Sequence, residues 1–196
     1  MLPKVVCITG GIGSGKSAVC HLISKAGYPV YYSDDRAKWL MENQPELIQG
    51  IKQEFSEEAY VEGALNRSYL SERIFQDPAL KSALEKLVHP AVGKDFQEWR
   101  AVQTTELVFK ESALAIEIKD PTCQCLVSVT ADRFIRQARV LLRNPNLSLS
   151  DIVARMNTQV GDHERIAASD FTIKNEDELE VLKESVDHLL SKLRVI

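Results

Sequence analysis

No stretch of this sequence comes near the roughly 20 apolar residues of a bilayer-spanning helix, so no membrane segment is expected. Positive charge is not in excess either. The 24 Lys and Arg stand against 28 Asp and Glu, a net charge of -4, without the broad basic face that binding nucleic acid or a membrane surface requires. A local basic pocket remains open. The first residues carry no basic run ahead of an apolar one and lead directly into a strand-like segment, unlike a secretion signal. Cysteine is scarce: Cys7, Cys20, Cys123 and Cys125 match neither a disulfide framework nor a zinc-ligand spacing, and they read as reduced, buried thiols of a cytoplasmic protein. The four histidines are scattered and form no metal constellation. What remains is ordinary globular composition, 44% hydrophobic and 27% charged, which suffices for one compact domain with a sizeable core.

Five short apolar runs read as strands: Lys4–Thr9, Pro29–Ser33, Glu106–Phe109, Cys125–Thr130 and Asp170–Lys174. Between the first two, Val19, Leu22 and Ile23 recur at helical spacing and Gly27 stands where a helix stops, which makes a βαβ unit. Residues 36–100 are helical by pattern. One apolar cluster there is Leu70, Ile74 and Phe75; another is Leu80, Leu84, Leu87 and Val88, after Asp77-Pro78 as cap and first-turn proline. The final helix, Glu176 to Arg194, lines up Leu179, Leu182, Val186, Leu189, Leu190 and Leu193 on one stripe. Strands alternating with helices predict a doubly wound α/β fold: a five-stranded, mostly parallel sheet with helices on both faces.

The chemistry begins at Gly10-Gly-Ile-Gly-Ser-Gly-Lys16-Ser17, between the first strand and its helix. This is the G-x-x-x-x-G-K-S pattern in its required strand–loop–helix setting. Glycines let the backbone N–H groups wrap a phosphate, and the following helix presents its positive end. The amides of Gly11, Ile12, Gly13, Ser14, Gly15, Lys16, Ser17 and Ala18 form the cradle. Lys16 reaches the β- and γ-phosphates, and the Ser17 hydroxyl is the Mg²⁺ ligand. The expected ligands are therefore a nucleoside triphosphate and Mg²⁺. Asp34, just after the second strand, is either a base for an attacking hydroxyl, a metal ligand or a helix N-cap.

Arginines offer a second signal. No lysine occurs between Lys119 and Lys174, yet Arg133, Arg136, Arg139, Arg143, Arg155 and Arg165 do, and arginine suits phosphate oxygens bidentately. The first four share one helical face, opposite Phe134, Ile135, Ala138, Leu141 and Leu142. Arg133 and Arg136 read as a solvated stripe. Arg143, at the end of that helix before Asn144-Pro145, reads as the phosphate ligand, and the stretch from Asn144 to Arg165 as a lid with a short helix around Ile152 to Met156. His89, before Pro90, reads as a capping or packing residue at a helix end.

These motifs together resemble the dephospho-coenzyme A kinase family. The resemblance runs through Ile8–Ser17, Val30–Ala37, Leu65-Asn-Arg67 with Arg73-Ile-Phe75, Leu87-Val-His-Pro90, Glu111–Glu117, Arg155-Met-Asn-Thr-Gln159 and Ala168–Asn175, in family order. It implies ATP-dependent phosphorylation of the ribose 3′-hydroxyl of dephospho-CoA, in the cytoplasm, by a monomer or weak homo-oligomer with small-molecule substrates and no nucleic-acid or membrane partner. It assigns Asp34 as general base, Lys16 and Arg143 as catalytic cations, and Arg67, His89 and Glu117 to the acceptor pocket. It divides the chain into a core (about 1–36, 101–142 and 166–196), a helical acceptor-binding insert (about 37–100) and a lid (about 143–165). The chain departs from the family in having Tyr32 where the first Asp of Asp-x-Asp is usual, Ala18 for Thr, Asn144 for Asp and Ala113 for Pro. Two rival readings are another P-loop small-molecule kinase and a nucleotide-gated switch. Against the first, Lys110-Glu-Ser-Ala113 is not the glycine triplet of shikimate kinases, and the glycine–phenylalanine–proline–arginine segment of adenylate kinases is absent. Against the second, neither Glu106–Phe109 nor Cys125–Thr130 ends in a carboxylate.

Overall fold

The computed structural model describes residues 2–194. It falls into two compact units, one of residues 1–31 and 103–196, the other of residues 32–102. The first unit is built on a sheet of β1 (Lys4–Thr9), β2 (Val30–Tyr32, whose last residue opens the other unit), β5 (Leu107–Glu111), β6 (Cys125–Thr130) and β7 (Phe171–Lys174), in the order β2-β5-β1-β6-β7. β1 pairs in parallel with β5 (Val6 opposite Phe109) and with β6 (Ile8 opposite Val127), and β6 with β7. Central parallel strands are buried, and accordingly Val5, Cys7, Ile8, Val108, Phe109, Val127 and Val129 are fully enclosed. α1 (Lys16–Lys25) and α9 (Leu179–Leu193) pack on each other. The stripe of α9 is buried from Leu182 to Leu193, whereas Leu179 at its start is exposed.

β5 and β6 flank β1, so the connection over residues 112–124 must cross β1. Most such crossovers carry a helix; this one has only turns. It is fastened by side chains instead. The Lys110 ammonium meets Asp120 Oδ2 at 2.6 Å, both groups almost wholly buried, and Asp120 Oδ1 accepts from the Thr122 amide and hydroxyl at 2.9 and 2.6 Å. Cys7 of β1 is disulfide-bonded to Cys123, so two of the four thiols expected to be reduced are paired. A separation of 116 residues hides that pairing from any local sequence pattern; the crossover alone brings the two together.

The second unit is α2 (Ser33–Asn43), α3 (Pro45–Phe55), the hairpin β3 (Tyr60–Val61) and β4 (Ala64–Leu65), α4 (Arg67–Gln76) and α5 (Pro78–Ala101). Leu40, Leu47, Ile51, Phe55, Leu70 and Val88 form its core, with Ile74, Leu80, Leu84 and Leu87 against it. Phe75, assigned to that cluster by spacing, is exposed. The helix expected to end near Pro90 runs through it to Ala101, leaving His89 exposed mid-helix and no cap. The hairpin is too short to show a periodicity in the sequence; it turns at Glu62-Gly63, both at positive φ.

Burial alone would raise the Asp120 carboxyl, but the hydrogen bonds from Lys110 and Thr122 outweigh it and hold the group below the usual carboxylate range. A carboxyl held below its unfolded value stabilises the fold above about pH 4, and that contribution is lost as pH falls through the folded value. Denaturant titrations of the native chain and Asp120→Asn should therefore show the variant less stable near neutral pH, by about 3–5 kcal/mol for an orphaned buried charge, with the gap closing below about pH 4.

Candidate active site

The phosphate loop spans Gly10 to Ser17, at the carboxyl end of β1, where the strand order reverses and where open α/β folds bind ligands. Gly13 (φ 79°) and Gly15 (φ 95°) adopt left-handed backbone, which glycine alone takes without strain. Space demands them as well. A Cβ on Gly13 would strike the backbone carbonyl of Arg136, and one on Gly15 the amide of Asn175. The loop is thus pressed against α6 (Arg133–Arg143) and the residue after β7.

Three side chains tie its backbone down. Arg136 Nε donates to the Ile12 carbonyl at 2.9 Å, while its Nη1 grips both oxygens of Asp162 at 2.7 and 2.8 Å. The Ile12 amide donates to Gln159 Oε1 at 2.8 Å, and Asn175 Nδ2 to the Ser14 carbonyl at 2.8 Å. Asn175 is itself held, its amide on the Thr130 carbonyl and its own carbonyl on Arg139 Nη1 at 3.0 Å. Arg136 is 5% exposed, so it is no member of a solvated stripe. The middle of the arginine face of α6, Arg136 with the partly buried Arg139, turns inward beside Val140, and the apolar positions Phe134 and Leu142 are left exposed. Arg133, by contrast, is exposed and bonded to Asn157, as its reading as a surface residue requires.

The catalytic candidates of this unit fall as follows. Lys16 Nζ donates to the Gly10 carbonyl at 2.9 Å and lies 3.8 Å from the Glu111 carboxylate. Glu111 corrects the sequence reading: β5 does not stop at Phe109 but continues through buried Lys110 and Glu111, charges that mimic a strand end in the sequence and are neutralised in place by Asp120 and Lys16. A carboxylate does therefore close β5, and the argument against a switch drawn from its absence falls. Ser17 is exposed and its hydroxyl is bonded to nothing among the described residues. The Ser14 hydroxyl is buried inside the loop, without a partner among the described residues. Arg143 ends α6, exposed and without a protein partner among the described residues. Glu117 lies 3.8 Å from Arg165, which is fully buried and donates to Thr9 Oγ1 at 3.2 Å and the Val160 carbonyl at 3.0 Å. Burial pushes the Arg165 guanidinium down, and the charges of Glu117 and Asp162 oppose this. The stretch read as a lid contains α7 (Leu149–Asn157), with a Ser148–Asp151 capping box, and α8 (Asp162–Ala167).

The other unit carries Asp34, Arg67 and His89. Helix α2 starts at Ser33, one residue before the expected cap, so Asp34 sits inside the first turn and caps nothing; it is exposed and unpartnered among the described residues. Asp35 pairs with Lys38 at 2.9 Å, a structural role. Arg67 opens α4 and meets Glu42 at 3.0 Å. Arg36, not singled out by sequence, grips Asp95 through Nε and Nη2 and stacks over Trp39 at 4.4 Å.

A loop orphaning a buried hydroxyl, with left-handed glycines and a lysine at its rim, fits the oxygens of a phosphate chain. Gly13→Ala adds both a Cβ clash and about 1–3 kcal/mol of backbone strain, so calorimetric titration with ATP should show affinity reduced roughly 10- to 100-fold.

A family model described as dephospho-CoA kinase matches residues 4–180. The dephospho-CoA kinase of Porphyromonas gingivalis is 35% identical over 170 residues, 86% of this chain and 84% of that one. A Thermus thermophilus crystal structure, TT1252, superposes with a TM-score of 0.86 at 34% identity, covering 98% of this chain and 99% of the other. Dephospho-CoA kinase from Campylobacter jejuni shares the fold at a TM-score of 0.69 and 19% identity, over 96% of each chain. Phosphate loop, strand order and whole-length similarity agree: the chain belongs to the dephospho-CoA kinase family.

Proposed function

We propose that this chain transfers the γ-phosphoryl group of ATP to the ribose 3′-hydroxyl of dephospho-CoA, giving coenzyme A and ADP, the last step of coenzyme A synthesis. The observation that carries the reading is the braced Gly10–Ser17 loop in a chain that follows the family over residues 4–180. Phosphoryl transfer of this kind is mostly positioning and charge neutralisation. The amides of residues 11–18 hold the phosphates, Lys16 meets the β- and γ-oxygens, and Arg143, free of protein partners among the described residues, meets the transferring group. Ser17 supplies a free hydroxyl oxygen and Glu111 a carboxylate, hard donors of the kind Mg²⁺ takes, and when bound the ion neutralises charge on the β- and γ-oxygens. The site has no Asp at position 32 to contribute, Tyr32 standing there instead.

Asp34 orients the acceptor hydroxyl and takes its proton late in the transfer. Its exposure and lack of a protein partner support that role over capping. Arg67, His89 and Glu117 contact the acceptor, with residues 37–100 as the acceptor-binding insert. The stretch over residues 143–165 closes over the phosphates and excludes water, which keeps ATP from being hydrolysed. No described helix is long and apolar enough to cross a membrane. The enzyme works in the cytoplasm, on small molecules alone, as a monomer or weak homo-oligomer.

The test is ADP release from Mg·ATP with and without dephospho-CoA. Turnover should depend on the acceptor, and Asp34→Asn should lower kcat by about 10²–10⁴. Equal ADP release without acceptor, the behaviour of a switch, would overturn the assignment, and full turnover in the variant would remove Asp34 as base.

A further inference from the structure

The disulfide is the feature that phosphoryl transfer leaves unused. We infer that Cys7 and Cys123 form a reversible thiol–disulfide site that staples the β5–β6 crossover to the nucleotide-binding strand beneath it. Cys7 stands in β1, three residues before Gly10, and is fully enclosed. Its register partner on β5 is Lys110. In-register neighbours on adjacent parallel strands project from the same face of a sheet. The crossover covers that face and answers both residues, Asp120 closing on Lys110 and Cys123 on Cys7, with a Cα separation of 5.6 Å in the usual disulfide range.

The need for a staple follows from the crossover's own structure. Without a helix its internal backbone hydrogen bonds are scattered turns: Ile118 to Leu114, Lys119 to Ile116, Asp120 to Ala115, and Cys123 to Asp120. Beyond these its hold on β1 is the pair of bonds between Val5 and Gln124, one from Ser112 to Ile8, and the Thr9 hydroxyl on Ala113. Yet it follows Glu111 beside Lys16 and carries Glu117 beside Arg165.

The two thiols are also chemically suited to exchange. Cys123 is only half-buried in a surface turn, so it can meet an external disulfide; Cys7 behind it can resolve the product. The nearby Asp120 carboxylate is neutralised by Lys110, so a thiolate forming there faces no uncompensated negative charge. The other two cysteines are free thiols, and burial pushes Cys20 and Cys125 up, the latter to about 11. The oxidant is a low-molecular-weight disulfide. The Cys123 thiolate attacks one of its sulfurs, expelling one small thiol and leaving a mixed disulfide. The Cys7 thiolate then attacks the Cys123 sulfur and expels the second. Two electrons and the two thiol protons leave with the released small thiols, and the reverse exchange restores the dithiol. In a reducing compartment such a pair reports the thiol balance rather than staying permanently closed. Cys7, Asp120 and Cys123 also lie close enough to share a metal, but they supply three donors, and Lys110 already occupies the carboxylate.

The experiment equilibrates the full chain with oxidised glutathione or with dithiothreitol, then alkylates, maps peptides without reduction and measures hydrogen exchange. Oxidation should join the Cys7 and Cys123 peptides, leave Cys20 and Cys125 alkylated, and slow amide exchange across residues 112–124 at least about tenfold. Dithiothreitol should reverse both changes. Cys123→Ser, at the half-buried position, should exchange like the reduced chain under either condition; Cys7→Ala serves as a second variant. Four free thiols after oxidation, glutathione retained on Cys123, a bond involving Cys20 or Cys125, or unchanged exchange across the crossover would each overturn the inference. So would a reduced chain that binds one Zn²⁺ per molecule and shields both sulfurs from alkylation.

Discussion

A phosphate loop must hold a row of N–H groups pointing into empty space, a posture that backbone alone does not keep. Here the posture rests on Arg136. Its guanidinium takes the Ile12 carbonyl on one side and the Asp162 carboxylate on the other, fixing the loop's tip to the segment that follows α7. Gln159 and Asn175 complete the tie at Ile12 and Ser14. Each bond is modest alone, about 1–3 kcal/mol where a charge takes part. Together they prepay the ordering that binding a triphosphate would otherwise demand.

The same logic explains an unusual number of buried charges near the site. Arg136, Arg165, Lys110, Glu111 and Asp120 are all less than a tenth exposed. A buried charge is tolerated only with partners, and each has one: Asp162, Glu117, Asp120, Lys16 and Lys110 respectively. The pairs exchange elements in a way apolar packing would not. Arg165 reaches back to Thr9 at the end of β1, and Lys110 reaches forward to the crossover. Charge at this site is therefore structural before it is catalytic. Arg143 and Asp34, the groups proposed to meet substrate, differ in carrying no protein partner among the described residues.

Much of this was legible in the chain. The five strands were visible because buried parallel strands are short, continuous apolar runs, and the loop because its glycines and lysine have one arrangement that works. What escaped reading depends on contacts far apart in sequence. The inward turn of α6 contradicts its apolar pattern, since Arg136 is drawn in by Asp162 and a loop carbonyl while Phe134 and Leu142 are left outside. The lysine-free, arginine-rich stretch held that signal, but its spacing could not separate a solvated stripe from a brace. β5 looked two residues too short because paired charges at Lys110 and Glu111 resemble a strand's end. His89 looked like a helix terminus because Pro90 usually makes one, yet α5 tolerates it. Cys7 and Cys123 looked like unrelated buried thiols until the crossover laid one over the other.

The most direct test of the central role given to Arg136 is calorimetric titration of ATP into Arg136→Met, which keeps the buried stem and removes the guanidinium. The account requires at least a roughly tenfold loss of affinity, with the chain still folded by circular dichroism, because the loop then pays its own ordering on binding. Affinity equal to that of the native chain would contradict it, and would mean that the glycines with Gln159 and Asn175 hold the cradle open without Arg136.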